Sequence, residues 1–508
     1  MNDHGRTVRL DPADNVVVAL ADIPAGTEIR AEGITALQDI PAGHKIATQK
    51  ISAGAPVLKY ATVIGFAGGD CPPGTWMHAH NVLMDDVQKD YRFAQDYVPA
   101  AVLPAAERAT FDGYARADGR VGTRNYIGIF ITVNCAATVA RRIAAHFTPE
   151  RLADYPNVDG VIPFIHQQGC GMEMTGEPMD LLQRTLKGYI THTNVAAALV
   201  CSLGCERNNL DRFFEAAAIE IGTSLQTVRM QSVGGTAAAI EDGIAKVSKM
   251  LAQANSVSRT PQSAEHLVIG LQCGGSDGFS GLSANPALGR AVDLLVENGG
   301  TAILSETPEL YGIEHTLTSR ARDEATGRAF LDRISWWLDY TNGKDVQMQG
   351  VVGPGNQAGG LANVIEKALG GSKKGGSTGI EAVYKYGEPV TARGLVIMDT
   401  PGYDPVAATG QIAGGANLIC FTTGRGSCFG SYPSPTIKLA SNSQMYARMQ
   451  GDMDINCGPV LDGTASLDDM GRTIFNEILS IASGARSKSE ALGIGAEEFA
   501  PWPIGVTG

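Results

Sequence analysis

The chain contains no run approaching the ~18 consecutive apolar residues of a membrane span, and it is short of positive charge. Forty Lys and Arg against 53 Asp and Glu leave a net charge of −13, which argues against nucleic acid or an anionic membrane as the main partner. The opening stretch MNDHGRTVRLDPADNVVVALADI carries acids where a secretion signal needs basic and then apolar residues, so a cytoplasmic location is expected. No G-x-G-x-x-G follows a first strand, which weakens a dinucleotide-dependent reading. KALGGSKKGGSTG (367–379) lacks the order of a phosphate loop; Lys373 and Lys374 within it suit an anion site or a solvated loop equally. The nine cysteines are scattered and show none of the close ferredoxin spacings. They read as thiols or metal ligands rather than as a disulfide framework.

Glycine is what the chain has in plenty. It supplies 62 of 508 residues, well above the usual ~7%, and serves tight turns and close backbone approach. A chain of this length divides into several domains. DIPAGTEI (22–29), DIPAGHKIA (39–47) and KISAGAPVLKY (50–60) repeat an Ile-x-Ala-Gly turn with a short β-rich run, and GDCPPGTWMHAHN (69–81) is related. They predict a small all-β domain over 1–90, with His44 and Lys45 as turn residues, followed by a linker over 91–110. From 111 onward strands alternate with helices. NYIGIFITVNC (125–135), DGVIPFIHQQGCG (159–171) and VAAALVCSLGCE (195–206) predict strands running into loops within an α/β unit over 111–255. HLVIGLQCGG (266–275), TAILSE (301–306), GLVIMDTPG (394–402) and NLICFTTGRG (417–426) do the same for a second unit over 262–508, both with mostly parallel sheets.

Ligands of open parallel sheets bind beyond the carboxyl ends of the strands. Cys135, Cys170 and Cys205 fall there in the first α/β unit, with His166 and Glu206. Cys273, Asp277, Glu306, Thr422, Thr423 and Arg425 fall there in the second. A lone cysteine is most often a small buried hydrophobe, the reading for Cys201 and Cys420. Four at strand ends make Cys135, Cys170, Cys205 and Cys273 candidate metal ligands. His78 and His80 would share one face of a strand and grip one ion, against the competing reading of an exposed pair without metal. LQCGGSDGFSG (271–281) nests a cysteine in bare backbone, with Gly274, Gly275 and Ser276 as donors to a ligand and Asp277 at its mouth. The threonines and Arg425 of FTTGRG suit an anionic group.

FDGYARADGRVGTRNYIGI (111–129), LGCE (203–206), LQCGGSDGFSGLSANPALG (271–289), GGLANVIEKALG (359–370), FTTGRG (421–426) and MDIN (453–456) resemble the altronate and galactarate dehydratase family nearly end to end. The β-rich segment resembles its SAF-type β-clip domain. The resemblance implies loss of water from a sugar acid to give a 2-keto-3-deoxy acid, with ferrous iron as the metal. It also implies a small anionic substrate and a homo-oligomer. WMHAHN (76–81) resembles the altronate branch, implying D-altronate and 2-dehydro-3-deoxy-D-gluconate, with galactarate as the alternative. One departure is Gln357 in VVGPGNQAGG (351–360), where the family carries lysine. In that chemistry His166, Glu306, His315 and Asp277 are candidates for proton transfer. Arg124, Asn125, Arg425 and Lys438 are candidates for holding the substrate. A single ion is the simpler metal expectation, although three loop cysteines leave room for a cluster. A non-catalytic sugar-acid sensor would need an effector domain, and no stretch reads as one.

Overall fold

The structure, a computed structural model, describes residues 6–84, 90–344, 348 and 352–506. Val351, which opens the string VVGPGNQAGG, and residues 85–89, which close the β-rich domain, lie outside them.

Short antiparallel strands build the N-terminal unit. Thr7–Val8, Val16–Ala19, Lys45–Ala47 and Trp76–Met77 form one sheet, and Pro56–Lys59, Thr62–Ala67 and Val82–Leu83 another. The turn repeat places Gly26, Gly43, Gly54 and Gly74 at φ between 74° and 86°, where a Cβ would be strained. The N–H groups of Ala25 and Ala42 each donate at 2.8 Å to the aspartate opening the other repeat, Asp39 and Asp22. His78 and His80 do not lie on a strand. The strand stops at Met77 and both histidines follow in a turn, so the strand rule is not what places them.

The first α/β unit has four parallel strands, β1 (Tyr126–Ile131), β2 (Gly160–Phe164), β3 (Val195–Ser202) and β4 (Leu225–Arg229), in the order β2-β1-β3-β4. The second has seven: β5 (Val268–Cys273), β6 (Thr301–Leu304), β7 (Ile380–Tyr384), β8 (Gly394–Met398), β9 (Leu418–Thr423), β10 (Thr436–Ala440) and β11 (Ile455–Asn456). Their order is β7-β8-β6-β5-β9-β10-β11, all parallel. Strands such as β1 and β9 are buried along their whole length, the near-continuous apolar pattern of a sheet covered on both faces. The covering helices bury an apolar face against the sheets. Ser466 and Asp469 form a capping box at the start of Leu467–Ala482, which packs on Ala284–Glu297. Helices Glu177–Ile190 and Asp404–Ala413 pack together, so that Phe130 and Phe164 share a core with Ile303 and Val396. The fold class is therefore the expected one, a small β domain followed by two parallel α/β units.

Strand order reverses between β1 and β3 and again between β5 and β9, and such reversals open crevices at the carboxyl edge. The N-terminal domain docks over the second crevice. Lys45 Nζ lies 2.8 Å and Lys59 Nζ 2.7 Å from the two oxygens of Glu366, with all three side chains buried. Lys45 also donates to Gly360 O at 2.8 Å, and Tyr60 OH to Gly281 O at 3.0 Å. Lys45 is thus a buried ion-pair partner and not a turn residue. Among the described residues no helix is long and apolar enough to cross a membrane.

Candidate active site

Strand β5 delivers Cys273 to the crevice edge, and the glycine-rich loop after it is consumed by packing. Gly274 N–H donates to Thr422 O at 3.1 Å, and the N–H groups of Gly424 and Arg425 donate to Gly275 O at 3.1 and 2.9 Å. A Cβ on Gly274 would sit 2.5 Å from Asp404 Oδ2, and one on Gly278 2.1 Å from Gly43 O. The bare backbone lets loops and domains touch, so the Gly274 N–H is not a free donor for substrate. Asp277 is not at a mouth either. It is buried, and its carboxylate accepts from Phe279 N–H, Ser280 N–H and Oγ–H, Ser441 Oγ–H and Asn442 Nδ2–H. Its lone pairs are occupied, which makes it a structural knot. Thr422 Oγ1 is likewise committed to Asn285 at 2.6 Å, and Thr423 Oγ1 accepts from Gly426 N–H at 3.0 Å.

Beneath this loop lies a compact acid–base cluster. Cys273 Sγ is 3.6 Å from Glu306 Oε2 and 3.7 Å from Glu309 Oε2. Lys374 Nζ pairs with Glu306 at 2.9 Å and Lys367 Nζ with Glu309 at 2.7 Å. Burial lifts the Glu306 carboxyl to about 7 even against the pull of Lys374. It lifts Asp404, at the start of its helix, to about 6, helped by the charge of Glu309. Burial and the neighbouring Glu306 push the Cys273 thiol up to about 12, so it is a protonated donor rather than a thiolate. Burial alone would depress Lys374, but Cys273 and Glu306 reverse that and hold it as an ammonium ion. Glu306 stands at φ 67°, a left-handed conformation that costs a non-glycine residue energy and persists where surrounding structure imposes it. Its Oε1 is buried without a hydrogen-bond partner among the described residues. A carboxylate with one engaged oxygen, one bare oxygen and a value near neutrality is poised to take a proton.

Glu309, Lys367, Lys374 and Asp404 were not in the sequence-derived set. Lys374 was weighed only as an anion-site or solvated-loop residue, whereas it is 2% exposed. The Lys373–Lys374 pair after a helix pattern was the only available signal.

Other candidates are placed elsewhere or already engaged. All five Arg124 N–H donors are satisfied inside the protein, by both Glu490 oxygens and by the carbonyls of Thr123, Ile481 and Ala485. Asn125 is bonded to Asp159, Asn157, Ala254 and Arg116. Neither has a donor left for a carboxylate. His166 accepts from Gln168 N–H at Nδ1 and so carries its proton on Nε2, 3.0 Å from Ile131 O. Burial lowers it to about 4, leaving a neutral ring with both nitrogens used. His315 is half-buried on the short helix Glu314–Thr318. Arg425 is exposed at the crevice edge. Lys438, on β10, has a buried Nζ without a hydrogen-bond partner among the described residues.

The metal candidates separate into three places. Cys135, Cys170 and Cys205 lie on the first α/β unit. Cys273, Glu306 and Glu309 are the one described group whose ligand atoms all fall within 4.8 Å. Two ammonium groups already pair with those two carboxylates, so an ion entering here would have to displace both lysines and the thiol proton. His78 and His80 offer two imidazoles on one turn instead. Their ring centroids are 6.5 Å apart, and His78 stacks on Trp76 with His44 4.8 Å away. Burial holds His78 down at about 4, and its Nδ1 is buried without a partner among the described residues. That is a neutral imidazole lone pair of the kind transition metals bind.

Fold and site define an α/β protein with a buried carboxylate–ammonium pair at the carboxyl edge of its larger sheet, roofed by a β domain bearing imidazoles. Three family models match along the chain: the altronate/galactarate dehydratase SAF domain over residues 5–85, the D-galactarate dehydratase/altronate hydrolase second domain over 113–255, and the D-galactarate/altronate dehydratase C-terminal domain over 264–507. Altronate dehydratase of Escherichia coli is 34% identical over 98% of this chain and 99% of its own. That of Bacillus subtilis is 33% identical over the same shares. Galactarate dehydratase (L-threo-forming) of E. coli is 35% identical over 94% of this chain and 93% of its own. The chain belongs to the altronate/galactarate dehydratase family of hydro-lyases.

Proposed function

We propose that the chain dehydrates D-altronate to 2-dehydro-3-deoxy-D-gluconate, with proton transfer at the Glu306–Lys374 pair. The observation that carries this reading is the bare Oε1 of Glu306, buried and held near neutral beside a fixed cation. Glu306 takes the proton beside the substrate carboxylate, and Lys374 stabilises the negative charge that develops as the enediolate forms. The Cys273 thiol, 3.6 Å from Glu306 Oε2, keeps that oxygen occupied and aims the other at the substrate. Arg425, exposed at the crevice edge, receives the carboxylate. The leaving hydroxyl requires a proton, and the Glu306 carboxyl, having taken one from the substrate, can return it there. The enol left behind becomes the ketone without help.

Ferrous iron fits His78 with His80, where it would act as a Lewis acid on substrate oxygens. Altronate is placed first because of the His-x-His of WMHAHN. Galactarate is the second reading, favoured by the galactarate dehydratase relative, and Gln357 leaves room for another aldonate or aldarate. That residue lies on the turn Pro354–Ala358, whose Ala358 O is 3.4 Å from His44 Nε2. The test is an anaerobic assay with added ferrous iron against a panel of aldonates and aldarates, detecting 2-keto-acid formation. Turnover of altronate alone supports the proposal. Turnover of galactarate alone moves the specificity, and absence of any keto acid with every substrate overturns the enzymatic reading.

A further inference from the structure

The first α/β unit carries its own crevice, where strand order reverses between β1 and β3, and three cysteines stand around it. Ile131 of β1 pairs with Cys201 of β3, and Phe130 of β1 with Phe164 of β2. Cys135 and Cys205 therefore each lie four residues beyond a directly paired position, and Cys170 six beyond Phe164. All three are exposed, whereas Cys71, Cys201, Cys273, Cys420 and Cys457 are buried.

The loops bearing them are tied into one rim. Asn134 N–H donates to Gln168 O at 3.1 Å, Asn208 N–H to Gly169 O at 3.0 Å, and Asn208 Nδ2–H to Thr132 O at 3.1 Å. Glu206, buried beside Cys205, accepts from Thr132 Oγ1–H at 2.7 Å and from Gly204 N–H at 2.6 Å. His166 pins the start of the Cys170 loop to β1. Gly169 holds φ 106°, and a Cβ there would lie 2.1 Å from Thr132 O; this contact brings the Cys170 loop against the end of β1. Gln231 Nε2–H already donates to Cys205 Sγ at 3.4 Å, the kind of hydrogen bond that stabilises a ligating sulfur.

The three thiols share one rim but not the coordination shell of one ion. Three thiolates around a tetrahedral ion with metal–sulfur bonds of ~2.3 Å stand about 3.8 Å apart. The three sulfurs here do not all lie within 4.8 Å of one another, so one ion does not span them without movement of the rim. A cuboidal cluster places its thiolates on separate irons and spreads them farther. We infer that Cys135, Cys170 and Cys205 ligate an iron–sulfur cluster in the β1/β3 crevice. Three thiolates leave one iron of a four-iron cluster without a protein sulfur, open to an oxygen ligand. The cluster is distinct from the Glu306–Lys374 site and stands or falls separately from it.

The test reconstitutes the full chain anaerobically with ferrous iron and sulfide, then measures iron, acid-labile sulfide and visible absorption. About four irons and about four labile sulfides per chain, with a broad brown absorption, are expected. Cys135→Ser, Cys170→Ser and Cys205→Ser should each lose most of the labile sulfide, while Cys428→Ser, at another exposed cysteine, should keep it. Circular dichroism and thermal melts check that the variants fold; the changes are at exposed positions. Iron bound without labile sulfide, or a chromophore surviving the triple variant, overturns the inference. Neither readout depends on turnover, so a failed dehydratase assay would not be mistaken for a missing cluster.

Discussion

Glu306 combines three departures from an ordinary carboxylate: left-handed backbone, complete burial and one oxygen without a partner. If it is the base, it works deprotonated. Activity should then fall on the acid side of pH 7, with kcat/KM dropping about tenfold per unit below it. Lys374 opposes the upward shift that burial causes. Lys374→Met should therefore move that limb to higher pH as well as slow turnover. A pH profile of the variant with its limb unmoved would show that another group titrates. Glu306→Gln, which keeps shape and removes the base, should cost about 10²- to 10⁴-fold in kcat, measured with KM to separate chemistry from binding. Glu306 was legible in the sequence because TAILSE ends a strand in an acid. Its partner was not, since Lys374 stands 68 residues away and pairing across that distance leaves no local pattern.

At the scale of elements, the strands were legible because β-branched apolar runs ended in polar loops, and β1, β3, β5, β6, β8 and β9 all fall within the predicted stretches. What the loops do was less legible. The glycines of 271–281 read equally as ligand donors or as packing contacts, and the opposing groups decide for packing at Gly274 and Gly278. KALGG, set beside a phosphate loop and rejected, is the end of helix Val364–Ser372, capped by Asn363 accepting from Glu366 N–H. Asp277 looked reactive by position and is instead satisfied by Ser280, Ser441 and Asn442, residues that no spacing rule connects. Gly278→Ala probes the packing reading. Its Cβ would meet Gly43 O at 2.1 Å, backbone against backbone, and neither side can rotate away. The variant should lose thermal stability by about 1–3 kcal/mol and loosen the N-terminal domain. Unchanged stability and unchanged protease sensitivity would mean the two loops do not touch in solution.

At the scale of the whole molecule the question is whether the β domain is a lid. The His pair lies far along the chain from the α/β loops, the placement a mobile lid would have. The structure ties the domain down with Lys45, Lys59 and Glu366, a buried triad linking residues 321 and 307 positions apart. Burial alone would raise Glu366, but the two lysines hold it down at about 2 against an ordinary 4.5. Its depressed value stabilises the folded state fully above about pH 4.5 and loses that contribution as pH falls toward 2. Glu366→Ala leaves two lysines buried without their counter-charge and should cost about 3–5 kcal/mol. Replacing all three by methionine removes both the charges and the desolvation penalty, and should recover much of that loss. Hydrogen exchange then separates a fixed roof from a lid. In the intact protein the amides of Val16–Ala19 and Lys45–Ala47 should be protected about as well as those of helix Val364–Ser372. In Glu366→Ala they should exchange faster, while β1, remote from the triad, keeps its protection. Rapid exchange of those N-terminal strands in the unaltered protein, with the helix protected, would instead mean that the domain opens readily, and that the triad closes over substrate rather than holding a static roof.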